Sequence, residues 1–222
     1  MNYHKILLFT AIITFTFHHS QNIKTNPTSS EERWKGYEQR KKLEENSIFK
    51  NLKFRNIGPT SMSGRVTDID ANPDNPTEFY VAYASGGLWY TNNNGTTFTP
   101  IFDKEAVMTI GDIAVDWKNK TILVGTGESN SSRSSYAGMG IYKSTDQGKT
   151  WQNLGLKDTQ HIGRIVINPE NQNEIWVAAV GHLYSPNEER GIYKTKDGGK
   201  TWKKTLSSDQ NSGAIDLAIN SQ

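Results

Sequence analysis

The sequence contains no cysteine, so neither a disulfide framework nor a thiolate metal site is open to it. It has no excess of either charge: 25 Lys and Arg face 23 Asp and Glu, a formal net charge of +2. A nucleic-acid binder would carry a basic stripe, and none is visible after residue 60, so nucleic acid is not an expected partner. No metal-ligand spacing, phosphate loop or nucleophile elbow occurs, and neither a metal nor another cofactor is expected. Long apolar runs are absent apart from Ile6 to Phe17, ILLFTAIITFTF. That run is too short to span a bilayer comfortably, follows Lys5 and precedes the polar HHSQN. It reads as a secretory signal peptide, residues 1–20, cut near Ser20; a buried core helix is the alternative. Without cysteine a lipoprotein anchor is excluded. The mature protein is expected to have no membrane span and to be secreted, periplasmic or at the cell surface.

What is present is aromatic and glycine-rich. Trp, Tyr and Phe make up 10% of the chain, and there are 19 glycines against only 34% hydrophobic residues. This composition suits short strands joined by tight turns.

The main internal signal is a repeat. Residues 141–151 read IYKSTDQGKTW and residues 192–202 read IYKTKDGGKTW, with eight of eleven positions identical. A weaker copy, LWYTNNNGTTF, runs from Leu88 to Phe98. Registered together, the copies share Ser/Thr-x-Asp-x-Gly-x-Thr-Trp at spacings of 53 and 51 residues. The boxes are Ser144, Asp146, Gly148, Thr150, Trp151 and Thr195, Asp197, Gly199, Thr201, Trp202. In the first copy Asn93, Gly95 and Phe98 stand at the Asp, Gly and Trp positions.

Other segments keep the same register. VTDIDANP, IGDIAVDW, IGRIVINP and AIDLAINS align Ile69, Ile113, Ile165 and Leu217 in one column. Ala71, Val115, Ile167 and Ile219 align two residues on, which is strand periodicity. A second strand follows each (EFYVAYA, TILVGTG, EIWVAAV), then a third (GLWYT, GIYKS, GIYKT) and a fourth opening at Phe98, Trp151 or Trp202. No stretch within the unit has room for a helix. Four short strands in a repeat of about 50 residues are the pattern of an all-β fold, a β-propeller of four-stranded antiparallel blades.

The box is then the turn between the third and fourth strands. Its Asp accepts backbone N–H groups in an Asx-type turn, Gly148 and Gly199 allow φ > 0, and the Trp covers the blade edge. These residues are expected to be structural. Blades are expected at 64–102, 110–157 and 162–208, with the first strand of a fourth at 213–222. Rings close with about four to eight blades, so the chain reads as the N-terminal part of a longer propeller spanning residues 51–222 and beyond. Alone it is expected to self-associate through open faces bearing columns such as Ile165/Ile167. Upstream, residues 21–29 read as a disordered linker and 30–50 as a helix started by Ser29 or Ser30. Trp34, Tyr37 and Leu43 form its docking face, and Trp34 and Leu43 are placed to cap one open side.

The boxes STDQGKTW and TKDGGKTW resemble the Asp-box, or BNR, repeat of sialidases, xyloglucan-cleaving glycosidases and the Vps10/sortilin propeller. FRNIGPTSMSGRVTDIDANPDN, VGTGE and GHLYSPNEERGIYKTKDGGKTW are most similar to exported bacterial proteins of the sortilin-N-terminal, BNR-repeat group, often labelled glycosyl hydrolases. The resemblance covers residues 52–222. It implies the propeller fold and is compatible with both enzymes and binders. Xyloglucan-cleaving relatives carry a catalytic Asp in a TDIGGAYR-like stretch; YASGGLWY matches it here, and Ala84 stands in the Asp position. FRNIGP has Arg55 but departs from the Phe-Arg-Ile-Pro motif of sialidases.

Ligands are expected on the face opposite the boxes, where two loops are long: Glu128 to Met139 and Gly181 to Arg190. Asp68, Asp112, Arg164 and Asp216 form a charged column on the inner strands. Its favoured reading is hydrogen bonds and ion pairs between neighbouring blades. The alternative is a polar ring, joined by Arg65, His161 and His182, at the mouth of the channel. Acid–base candidates are Asp68, Asp112 and Glu128. Ligand-binding candidates are Arg65, Arg133, His161, Arg164, His182, Glu188, Glu189 and Arg190. The expected function is binding of a protein, peptide or carbohydrate. The alternative is a glycoside hydrolase completed by further blades, and Ala84 favours the first.

Overall fold

The computed structural model describes residues 28–52, 64–133 and 135–220. The signal peptide, most of the linker and the FRNIGP segment with Arg55 lie outside the described residues. Helix α1 runs over Ser30–Asn46, and Ser29 caps it. The Ser29 hydroxyl accepts from Glu32 N–H, while the Glu32 carboxylate accepts from Ser29 N–H, a reciprocal capping box.

Among the described residues, twelve strands follow in three sheets. The first sheet holds β1 (Val66–Ala71), β2 (Phe79–Tyr83), β3 (Gly87–Thr91) and β4 (Thr99–Pro100), paired in that order. The second holds β5 (Ile110–Asp116), β6 (Thr121–Thr126), β7 (Ile141–Ser144) and β8 (Gln152–Asn153). The third holds β9 (Ile162–Asn168), β10 (Asn171–Ala179), β11 (Gly191–Thr195) and β12 (Lys203–Leu206). Every pairing is antiparallel. These are three β-propeller blades, each wound from its inner strand outwards. One short 3₁₀ turn, Lys157–Thr159, lies between the second and third blades.

The boxes close the third-to-fourth-strand turns through one bond set. In blade two, Asp146 accepts from Thr150 N–H at 2.9 Å and from the Thr150 hydroxyl at 2.6 Å. The Ser144 hydroxyl donates to Asp146 and accepts from Gly148 N–H. Blade three repeats this with Asp197, Thr201, Thr195 and Gly199. In blade one, Asn93 accepts from Thr97 N–H and its amide N–H donates to the Thr97 hydroxyl, so the turn survives with one bond reversed. These bonds hold the Asp146 carboxyl down at about 2, the Thr150 hydroxyl contributing most, and hold Asp197 well below its usual range.

The aromatic residue of the box does more than cover its own blade edge. The Trp151 indole N–H donates to the carbonyl of Ile101, which ends blade one, at 2.8 Å. Trp202 does the same to Leu154 at the end of blade two, also at 2.8 Å. The Trp151 ring also meets Phe102 edge-on. Box glycines are needed twice over. Gly199 has φ +96°, and a Cβ there would lie 2.5 Å from Leu154 Cδ1. Gly148 has φ +83°, with a Cβ position 2.6 Å from Ile101 Cδ1. Each box turn thus seats itself on the residue that closes the preceding blade.

The core lies between blades. One cluster joins Tyr80, Leu88 and Phe102 to Ile110, Ile113 and Tyr142; a second joins Leu123 and Ile141 to Ile165 and Val177. The inner-strand column therefore faces backwards along the ring. Ile113 and Ile165 are buried because a preceding blade covers them, whereas Ile69 in blade one is 56% exposed. This corrects the expectation that Ile165/Ile167 lie on an open face: Ile165 is buried and Ile167 packs against the same cluster.

Two further expectations are corrected. Residues 213–220 carry no strand pairing among the described residues. The segment instead lies along blade three, with Ala214 N–H donating to Ala179. Helix α1 does not cap an open side. It lies across the end of the sheets opposite the boxes, where Arg33 donates to Ala137 and Gly138, Tyr37 to Glu105, and Arg40 to Lys104. Trp34 packs there beneath the Lys157 ammonium, 3.5 Å from the ring centroid, whereas Leu43 is 69% exposed.

Trp202→Phe keeps an aromatic ring but removes the indole N–H and the five-membered ring that carries it, so it is expected to cost at least about 1 kcal/mol. Gly199→Ala is expected to cost more, because it adds both backbone strain and the Leu154 clash. Urea midpoints of the two variants check this ranking; equal stability to the wild type in both would contradict the seating described here.

Candidate functional site

The long loops lie where expected, at the end of the sheets away from the boxes. The first leaves β6 at Glu128. Its carboxylate is fully buried and is gripped by Arg65, Nε at 2.8 Å and a second guanidinium nitrogen alongside. The Ser135 hydroxyl reaches the same carboxylate at 3.4 Å. The Glu128 carbonyl accepts from His161 Nδ1 at 2.8 Å. Burial is the main cause holding the His161 imidazole below its usual value, and His182 and Arg33 nearby add to it. Glu128, Arg65 and His161 are thus brought together, and what they do is anchor the loop: a buried carboxylate is retained where donors satisfy it.

The second loop is braced by Arg190. Its buried guanidinium donates to the carbonyls of Val180, His182 and Ser185. His182 Nε2 donates to Asp158, Glu188 accepts from the Gln210 amide, and Glu189 accepts from Tyr193. The loops are tied to each other by the Tyr184 hydroxyl, which donates to the Ser132 carbonyl at 2.8 Å. Solvent meets Arg133, Tyr136 and Tyr184, the tyrosines 61% and 70% exposed. Neither tyrosine stands out by sequence alone. The signal that could have found them is an aromatic residue inside a Ser/Asn-rich loop, where nothing apolar nearby offers a core.

The charged column stitches blades. Asp68 accepts from Ile113 N–H of the next blade at 3.1 Å, and Asp112 from Ile165 N–H of the blade after at 2.6 Å. Asp70, outside the column, adds a further stitch, accepting from Val115 N–H and the Trp117 indole. Arg164 reaches Asp216 at 2.8 Å and Asp112 at 3.3 Å. Ala84 is buried and its N–H donates to Arg65.

Burial, and then the neighbouring Asp68 carboxylate, push the Asp112 carboxyl up to about 8, against the pull of Ile165 N–H and Arg164. Arg164 binds Asp216 more closely, so it neutralises Asp112 only partly. With the folded value above the unfolded one, the folded chain holds a proton that the unfolded chain releases between about pH 4 and 8. Stability from this group is therefore lost as pH rises across that window. Urea denaturation at pH 5 and 8.5 is expected to show the fall in the wild type and a flatter profile in Asp112→Asn; a decline of equal size in both would contradict it.

A family model described as the BNR/Asp-box repeat matches residues 142–153, from the third strand of blade two through its box to the fourth. No curated protein matches the chain significantly in sequence. Among solved structures, an ancestral GH74 enzyme is similar at 20% identity over 65% of this chain and 19% of its own, with a TM-score of 0.49. The GH74 xyloglucanase from Xanthomonas campestris is similar at 18% identity over 65% and 21%, TM-score 0.47. YCF48 from Cyanidioschyzon merolae is similar at 18% over 68% and 40%, TM-score 0.46. The matched part of the chain therefore spans from about a fifth to two fifths of the length of these structures. The three blades give this chain a β-propeller fold, and the turn at the edge of blade two matches the BNR/Asp-box repeat.

Proposed function

We propose that the chain is part of an exported, sortilin-like propeller that binds a protein, peptide or glycan on its long-loop face and does no chemistry with these blades. The observation that carries the reading is the joined pair of loops. Buried Glu128 and Arg190 fix their bases, Tyr184 ties one to the other, and Arg133, Tyr136 and Tyr184 are left to solvent. Tyr and Arg on adaptable Ser/Asn loops, held by a rigid scaffold, suit recognition: they offer large contact area at small entropic cost. Export rests on the apolar run Ile6 to Phe17 behind Lys5.

A glycoside hydrolase is the second reading, and one observation favours it. Asp112, with its raised proton affinity, neighbours Asp68, and a protonated acid beside a second carboxylate is the pairing that glycoside cleavage uses. Against it, both carboxylates already accept backbone N–H groups that hold the blades together.

Peptide-display and glycan-array screening of the chain, repeated with Tyr136→Ala/Tyr184→Ala and with Asp112→Asn, separates the readings. The tyrosine variant is expected to lose at least about tenfold in affinity, each anchor being worth more than about 1 kcal/mol. Asp112→Asn is expected to retain binding. Hydrolysis of a bound glycan that Asp112→Asn abolishes would instead establish the enzyme.

A further inference from the structure

The box face, at the opposite end of the sheets, carries a feature that the loop-face reading does not use. Five positions around each box occupy the same places in all three blades. In blade one they are Tyr90, Asn92, Thr96, Thr99 and Pro100. In blade two they are Lys143, Thr145, Lys149, Gln152 and Asn153. In blade three they are Lys194, Lys196, Lys200, Lys203 and Lys204. The number of lysines rises from none to two to five. The turn does not require them, since blade one closes the same turn without any.

Two of the seven are engaged locally. Lys194 pairs with Glu174 and lies over the Trp176 ring, and Lys204 donates to the Glu188 carbonyl. Lys143, Lys149, Lys196, Lys200 and Lys203 have no ion pair with a carboxylate among the described residues. Lys143 and Lys200 line a groove of about 630 Å³ between blades two and three, together with Gln152, Asn153, Asn173 and Trp151. Lys143 reaches across it: a Cβ placed on Gly198 of blade three would lie 3.6 Å from the Lys143 ammonium. The carboxylate lining the groove is Asp197, and both its oxygens are already taken by Thr195 and Thr201. Two cations therefore face one cleft against a single carboxylate whose oxygens are already hydrogen-bonded within its own turn, which leaves the cleft net positive and open to an incoming anion.

We propose that this inter-blade groove binds an acidic saccharide. Lysines match carboxylate or sulfate, and the side-chain amides of Gln152 and Asn173 offer the paired donors and acceptors that sugar hydroxyls need, whereas the Asn153 amide is already bonded to Met139 and Gly155. Trp151, half-buried at the wall, offers an apolar edge to a sugar ring. A protein partner would want a desolvated apolar centre with aromatic anchors, and the groove is polar instead. Blade three carries the positive field on around the rim through Lys196 and Lys203, so a chain longer than the groove gains further contacts.

Binding of the full chain to oligogalacturonate and to chondroitin sulfate, at low and moderate salt, tests this and separates carboxylate from sulfate as the anion. Neutral dextran and polyglutamate are the comparisons. At least one acidic saccharide is expected to bind, more weakly as salt rises. Lys143→Gln/Lys200→Gln is expected to weaken it about tenfold with an unchanged thermal melt, whereas Lys41→Gln/Lys42→Gln, which removes the same charge from α1, is expected to stay within about twofold. Failure of both acidic saccharides to bind would overturn the proposal. So would an equal loss in the helix variant, which would mark a response to net charge alone. Polyglutamate bound as tightly as the saccharides would point to an acidic protein instead.

Discussion

An indole N–H that reaches backwards to the carbonyl closing the preceding blade is the contact on which the rest of this architecture hangs. Trp151 and Trp202 each make it at the outer rim, and the box around each is built to deliver it. The Asp-centred turn fixes where the indole starts, and the glycine lets the turn settle on Ile101 or Leu154 without a side chain in the way. At the inner rim a second contact runs the other way: Asp68 and Asp112 take a backbone N–H from the blade that follows. Blades are therefore pinned at both rims, with the apolar clusters compressed between. A dry interface between twisted sheets can slide, since apolar contact has no direction; directional bonds at its two ends fix its register.

The blade plan was legible in the sequence because it repeats. Alignment of three copies located all twelve strands, the turns between third and fourth strands, and the face that bears the long loops. What spacing alone does not reveal is which neighbour a side chain meets. Trp151 read as the cover of its own blade edge, yet its N–H belongs to the blade before. Ile165 read as open, yet its blade leans on the one preceding it, and the open residue of that column is Ile69. Leu43 lies in the helix that does dock, but α1 meets the blades through Trp34 and Tyr37 on its earlier turns, and Leu43 falls beyond the contact.

The same blindness shaped the site. Residue type drew the eye to Glu128, His161 and Arg190, and all three turn inward to hold loops in place. The tyrosines that face outward are ordinary as letters and become conspicuous only once their exposure is known. The inter-blade role of the charged column is legible because acid residues recurring on a channel-side strand have backbone N–H groups of the adjacent blade within reach. Asp70 is not legible in this way because its partner, Trp117, occurs in one blade and leaves no repeat to detect.

The backward reach of the indole also gives assembly a direction. Each box finds its carbonyl upstream, in chain already made, so a blade emerging from the ribosome can dock at once on the one before it. The first box is the exception: at its tryptophan position stands Phe98, which has no N–H to donate and packs against Phe79 of its own blade. The first box thus makes no backward indole bond, whereas the boxes of blades two and three each bond to the blade before.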